Sequence, residues 1–295
     1  MVNVINGRLG EQGVLETTAA AVGLLRPADL PEVLDLLGRD PVADVFVASR
    51  VHSSGLAADL LGGDLWGYRE DGRLRAICYS GANLVPVAAS ARAARSFADR
   101  AAQRGRRCSS MLGPADAVLA MWERLQASWG SAREVRPHQP LLAIAGPPAV
   151  PSDSLVRRVW PHEIETVFPA CVAMFTEEVG ISPIGHDGGA SYRARVAELV
   201  CSGRAFARFE DGDVVFKAEV GAATPHACQV QGVWVRPDRR GSGLCAPGMA
   251  AVVEHAQRTI APVVTLYVNN YNVPARSAYR RVGFREIGEF ATVLF

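Results

Sequence analysis

The stretch "VWVRPDRRGSGLCAPGMAAVV", Val233 to Val253, runs from an apolar strand through a basic, glycine-rich turn into an amphipathic helix. That order predicts a phosphate-binding turn. A helix start leaves its first amide N–H groups unpaired and carries a partial positive charge. Glycines at 241 and 243 let successive amides converge on anionic oxygens. Pro247 falls in the first helical turn, where a missing N–H does little harm, and Arg239 and Arg240 add charge at the rim. Three phosphates compete for such a turn: a nucleoside triphosphate, a dinucleotide and the pyrophosphate of coenzyme A. The triphosphate loop G-x-x-x-x-G-K-[ST] needs a lysine, and the only lysine in the chain is Lys217. The segment Gly241 to Ala246 does match the dinucleotide pattern G-x-G-x-x-[GA]. There, however, the strand should run almost directly into the first glycine, and a carboxylate should end the next strand. Here "RPDRR" intervenes and the next strand ends "VNNYN". The coenzyme A pyrophosphate remains.

The bulk numbers fit a catalytic scaffold better than a charged or membrane-bound one. The chain has 295 residues, 49% hydrophobic content and a formal charge of +1, enough for two domains of ordinary size with real cores. No basic block marks a nucleic-acid partner. No apolar run approaches a membrane span of about 20 residues, and "MVNVINGRLGEQGVLETT" has no signal-peptide pattern, so a cytoplasmic location is expected. Six cysteines, at 78, 108, 171, 201, 228 and 245, form no C-x-x-C pair. They read as reduced, buried small hydrophobes. The histidines are equally dispersed, and no metal is expected.

The proline-rich stretch "IAGPPAVPSDSL", Ile144 to Leu155, is the best linker and predicts domains over 1–150 and 151–295. The halves resemble each other. "LLRPADLPEVLDLL" and "VRRVWPHEIETVFPACVAMF" each give a short strand, a proline and an amphipathic helix. "LWGYREDGRLRAICYS" and "RAFARFEDGDVVFKAEV" are both hairpins turning on Asp-Gly. These pairs lie about 134 to 140 residues apart, as an internal duplication would place them. In the second half the pattern predicts a strand over Val156–Trp160, helices over His162–Val179 and Tyr192–Cys201, and a hairpin over Arg204–Val220. A strand over Cys228–Val235 follows, then a helix from Leu244 to Thr259 burying Met249, Val252, Val253, Ala256 and Ile260. "VVTLYV" reads as a strand covered on both faces. A helix over Pro274–Val282, closed by Gly283, and a last strand over Phe284–Phe295 complete an α/β (α+β) fold with a mixed sheet flanked by helices.

Arg240-Gly241-Ser242-Gly243-Leu244-Cys245 resembles the [QR]-x-x-G-x-[GA] turn of the GNAT superfamily of acyl-CoA N-acyltransferases, with cysteine at its last position. About thirty residues on, "NNYNVPARSAYRRVGF" is similar to the same family's N-x-x-A-x-x-x-Y-x-x-x-G-F segment, on Asn272, Ala275, Tyr279, Gly283 and Phe284. The resemblance covers residues 156–295 and extends to two-domain actinobacterial members with an uncharacterised N-terminal domain. It implies acetyl-CoA as acyl donor and an amine as acceptor. It also implies that the strand carrying Val233, Trp234 and Val235 splays from its neighbour to admit the pantetheine arm. Two tandem GNAT-like domains are expected, the first degenerate and without the cofactor motif, since "GANLVPVAA" has no arginine–glycine turn.

Tyr279 matches the general acid that protonates the departing thiolate, which a phenol can do with a modest downward shift; the plain alternative is packing. Asn272 can cap the last helix or bond the cofactor. Cys245 reads as a small loop residue, since no histidine is placed to partner it. The general base is open. The strand before the turn offers only Gln229 and Gln231, leaving Glu219, Glu177 and Glu178 as carboxylate candidates, with His186 and Asp187 as weaker ones. A module that binds acyl-CoA without turning it over is the rival reading.

Overall fold

The structure, a computed structural model, describes residues 21–295 apart from His186. The readings made on the N-terminal stretch and on His186 lie outside the described residues. Both Asp-Gly hairpins form. In the first half, β1 (Ala21–Leu24) precedes α1 (Leu30–Leu37), α2 (Val45–Ser54) and α3 (Ala58–Leu61), and β2 (Gly63–Glu70) turns on Asp71-Gly72 into β3 (Arg73–Gly81). β4 (Asn83–Val87), α4 (Ala91–Arg104), β5 (Ser110–Pro114), α5 (Ala115–Trp129) and β6 (Glu134–Ile144) follow.

The second half repeats this order with two helices rather than three ahead of its hairpin. β7 (Arg157–Arg158), α6 (Ile164–Val179) and α7 (Ala190–Cys201) lead to the hairpin β8 (Ala205–Glu210) and β9 (Asp213–Ala223). Then come β10 (Ala227–Val235), α8 (Cys245–Thr259), β11 (Val263–Tyr267), α9 (Val273–Val282) and β12 (Arg285–Leu294). The strand expected over Val156–Trp160 shrinks to β7. The Val156 N–H is taken by a turn to the Asp153 carbonyl, and Pro161 opens a short 3-10 turn on the other side. α8 buries the expected stripe, with Ile260 half-buried. It lies close on β9: a Cβ at Gly248 would meet the Phe216 ring at 2.9 Å.

One mixed sheet carries the described strands in the order β1-β2-β3-β4-β5-β12-β6-β11-β10-β9-β8-β7. The centre of this sheet disregards the linker. β12, the last strand of the second half, pairs antiparallel with β5, and β6, the last strand of the first half, pairs antiparallel with β11. The two exchanged strands pair with each other, Gln139 opposite Phe290 near the middle. Each also supplies core to the other half. Ala291 and Val293 of β12 pack under α4 and α5, while Leu142 and Ile144 of β6 pack under α8 and α9. A further tie joins α2 to the second half, where the Ala223 N–H donates to Ser49 Oγ at 3.2 Å.

Both halves separate a parallel strand pair, with different contents. β10 pairs with β11 only from Ala227 to Gln229, after which Val230–Val235 keep β9 alone as partner. β4 likewise meets β5 only at Asn83 and Leu84. There the start of α2 closes the gap: Asp44, Phe46 and Val47 pack against Val85 and Leu112 and leave a space of about 10 Å³. No helix among the described residues is long and apolar enough to cross a membrane.

Candidate active site

The glycine turn forms where the sequence places it. Gly241 and Gly243 have φ of +78° and +86°, a region glycine enters without steric cost. A Cβ at either position would meet nothing within 4 Å, so the turn faces open space. Leu244 caps α8, and the first bond of that helix runs from the Gly248 N–H to the Leu244 carbonyl. The amides of Leu244, Cys245 and Ala246 therefore precede the helical ladder, and Pro247 contributes none. Ser242 Oγ donates to the Arg239 carbonyl at 2.5 Å and braces the bend. Arg239 pairs with Glu210. The gap between β10 and β11 opens onto this turn, with the β11-facing backbone of Val233 to Val235 free of any strand partner. Arg240 Nε already donates to the Val235 carbonyl at 3.1 Å. An open cleft, free amides and a basic rim fit a pantetheine diphosphate. Trp234 faces the other side, packed under α6.

The C-terminus of α6 bridges the mouth of this gap. Glu177 reaches the β10 lip, accepting from Trp234 Nε1 at 3.1 Å and from Arg240 Nη2 at 2.5 Å. Glu178 reaches the β11 lip, where Oε1 accepts from Asn269 Nδ2 at 3.1 Å. Arg136 of β6 holds the same oxygen at 2.5 Å. Neighbouring carboxylates thus face opposite lips.

Tyr279 lies on α9, 6% exposed, with its ring edge-on to Phe284. Burial raises its phenol well above the usual tyrosine value, and the nearby Cys245 and Glu178 push the same way. The modest downward shift expected from the sequence is thereby corrected. A phenolate buried this deeply is disfavoured. Burial also pushes the Cys245 thiol up to about 11, with Arg281 opposing weakly. The helix start does not make it a thiolate. Asn272 caps α9, its side chain accepting from the Ala275 N–H at 3.2 Å. Among the other cysteines, Cys201 is exposed rather than buried.

Glu219 stands in a different setting. It is 5% exposed and its Oε1 lies 2.6 Å from Nζ of Lys217, itself 1% exposed. Lys217 also donates to the Gly232 carbonyl at 3.1 Å, and Cys171 Sγ approaches Glu219 Oε1 at 3.6 Å. Burial alone would lower the lysine, but the Glu219 carboxylate and Cys171 more than offset it and hold it protonated. Gly232 sits at the β10 bulge directly above, where a Cβ would come within 3.2 Å of both charged groups. The sequence reading weighed Glu219 without its lysine, although an isolated lysine in an arginine-rich chain was a visible signal. It missed Arg136, Gln139 and Asn269 altogether. Asp187 only caps its own loop, accepting from the amides of Gly189 and Ser191.

Comparison with known proteins bears on the fold. Residues 184–284 match the acetyltransferase (GNAT) family, and residues 63–167 match a domain of unknown function, DUF4081. Similar solved structures share the fold along nearly the whole chain. One is a GCN5-related N-acetyltransferase from Sphaerobacter thermophilus, with 19% identity, TM-score 0.57, and 93% of this chain and 94% of that one covered. Another is a GNAT-family acetyltransferase from Colwellia psychrerythraea, with 10% identity, TM-score 0.55, and 93% and 99% covered. A third is a tandem GNAT protein from the clavulanic acid biosynthesis pathway, with 16% identity, TM-score 0.51, and 93% and 98% covered. No curated protein matches the sequence. The mixed sheet flanked by helices is thus a GNAT fold.

Proposed function

We propose that this protein is an N-acetyltransferase that moves an acetyl group from acetyl-CoA to an amine in the cleft between β10 and β11. The observation that carries the reading is the parting of these strands after Gln229, directly ahead of a turn with Gly241 and Gly243 at positive φ. Acetyl-CoA, when bound, supplies a thioester whose carbonyl carbon an amine can attack. The amides of Gly241, Gly243, Leu244 and Cys245, with Ser242 bracing the bend onto the Arg239 carbonyl and Arg240 at its rim, hold the diphosphate. The β11-facing backbone of Val233 and Val235 bonds the pantetheine amides, and Asn272 fixes the α9 end that presents Tyr279.

The exchange forms a carbon–nitrogen bond and breaks a carbon–sulfur bond. Glu178 orients the amine and accepts its proton. Tyr279, protonated across the neutral range by its burial, donates to the departing sulfur. Glu219 is left out of this scheme, because its side chain is buried against Lys217, whereas that of Glu178 is half exposed at the mouth of the cleft. The domain over 151–295 performs the chemistry. The domain over 1–150 takes no coenzyme A, a reading supported by α2 filling the corresponding gap.

A thiol-release assay over a panel of amines, with acetyl-CoA binding measured in parallel, tests this. Tyr279→Phe should lower kcat about 100-fold and leave acetyl-CoA affinity unchanged, whereas Gly243→Glu should abolish binding. Unchanged binding by Gly243→Glu refutes the site. The rival, an acyl-CoA-binding module without turnover, draws on the absence of a carboxylate from β10. Binding without thiol release from any amine would establish it.

A further inference from the structure

We propose that Arg136, contributed by the N-terminal half, is a positioning residue for acetyl transfer in the C-terminal half, and that it acts by fixing Glu178 at the mouth of the cleft. This inference rests on the function proposed above and deepens it, because it makes the active site a product of both halves.

Arg136 lies on β6, the strand that the first half lends to the second, and is 9% exposed. Four of its five N–H donors are engaged. Nε and Nη2 hold the two oxygens of Glu134 at 2.9 Å each. Nη1 donates to Glu178 Oε1 and Nη2 to the Glu178 main-chain carbonyl, both at 2.5 Å. One rigid fork therefore grips the side chain and the backbone of the same residue. The carbonyl it takes is among the last of α6, which have no partner within the helix and sit at its negative end. A lysine could not reproduce this grip, since its ammonium is a point charge on a flexible stem.

A chain of amides secures the same oxygen from the other side. Glu178 Oε1 accepts from Asn269, Asn269 Oδ1 accepts from Gln139 Nε2 at 2.8 Å, and Gln139 Oε1 accepts from Thr292 Oγ1 at 2.6 Å. Asn269 follows β11, Gln139 belongs to β6 and Thr292 to β12. Two of the three links use an exchanged strand. None of these bonds uses Glu178 Oε2. With Oε1 held twice, the carboxylate has one orientation, and Oε2 is the oxygen left for an incoming amine.

Stability alone gives little reason for such a group. Burial works against the Arg136 charge, and Glu134 and Glu178 offset it. Its two carboxylate partners stay 39% and 50% exposed, and ion pairs open to solvent contribute little to stability. What the fork adds over an apolar residue is a fixed direction for Glu178.

The test compares Arg136→Gln, Arg136→Lys, Glu178→Gln and the Arg136→Gln/Glu178→Gln pair in the full chain. The readouts are kcat and KM with the best amine of the panel, acetyl-CoA affinity, and Tm. Arg136→Gln should lower kcat up to about 100-fold, the scale of a misplaced reacting group, with acetyl-CoA affinity unchanged. Arg136→Lys should recover only part of the loss. In the Glu178→Gln background, Arg136→Gln should cost nothing further in kcat, because a residue acting through Glu178 has nothing left to position. Should Arg136→Gln fail to fold, Glu134→Gln loosens the same fork from its exposed side and should lower kcat about tenfold. An unchanged kcat in the folded variants, or a loss of equal size with and without Glu178, overturns the inference. Turnover that ignores Arg136 defeats this inference alone. A wild-type protein that binds no acetyl-CoA defeats the parent reading and this one together.

Discussion

Replacing Lys217 with methionine should destabilise the protein by about 3–5 kcal/mol, the cost of stranding a buried carboxylate. The structure sets the terms. The Lys217 and Glu219 charges lie 2.6 Å apart, with side chains 1% and 7% exposed. Without the ammonium, Glu219 keeps only the weak Cys171 thiol at 3.6 Å, a thiol that burial pushes up to about 12. The Gly232 carbonyl loses its donor as well. Removing both charges in Lys217→Met/Glu219→Leu should restore most of the loss, to within about 1–2 kcal/mol of wild type, because apolar replacements of a buried pair are often near neutral. Urea unfolding of the wild type and both variants at neutral pH measures this. A stranded Glu219 has a raised folded pKa, so the single-variant deficit should shrink as pH falls from about 8 to about 5. In the wild type the raised group is the lysine. Its contribution is complete below the unfolded value of about 10.4 and fades only as pH climbs through the still higher folded value. A deficit under about 1 kcal/mol, or a double variant no more stable than the single, would refute the assignment of these two side chains as a mutually dependent buried pair.

Glu219→Gln should lower the urea midpoint while leaving kcat per folded molecule close to wild type, and Glu178→Gln should do the reverse, with a kcat loss of about 100-fold; stopped thiol-release assays on both separate them. Asn272→Ala removes the α9 cap and should cost about 1 kcal/mol by the same unfolding assay. Iodoacetamide at neutral pH should label exposed Cys201 and spare Cys245, whose thiol is raised to about 11; mass spectrometry of the digest reports which residue reacts. Deleting 285–295 should leave neither half folded, since β12 lies between β5 and β6; circular dichroism and size-exclusion elution would show the collapse.

The parts of the molecule written in local signals were legible in advance. The apolar period of α8, the Asp-Gly hairpins, the glycine bend and the tyrosine of α9 each depend on residues a few positions apart. The exchange of strands was not legible, because a strand pattern does not name its partner. "EVRPHQPLLAI" even argues against a central position, since prolines cannot donate to a ladder and belong at edges or bulges. The structure accommodates Pro137 at an irregularity, while Pro140 stays in register opposite Glu289. Gln139 and Arg136 oppose Phe290 and Thr292, which leaves an extra residue on the proline-bearing strand. Arg136, Gln139 and Asn269 could not be associated with Glu178 until that pairing was known. The rise of the Tyr279 phenol was hidden for a related reason: its main cause is burial by elements distant in sequence, which no motif records.

The position of β12 also governs how the chain can be made. Residues 285–294 leave the ribosome after every other strand, yet they fill the middle of the sheet. At about 5–20 residues per second, β5 and β6 wait roughly 10 to 30 s for a neighbour. During synthesis the nascent protein therefore exposes an apolar interior and two unsatisfied ladder edges, which is the condition under which chaperone capture competes with aggregation.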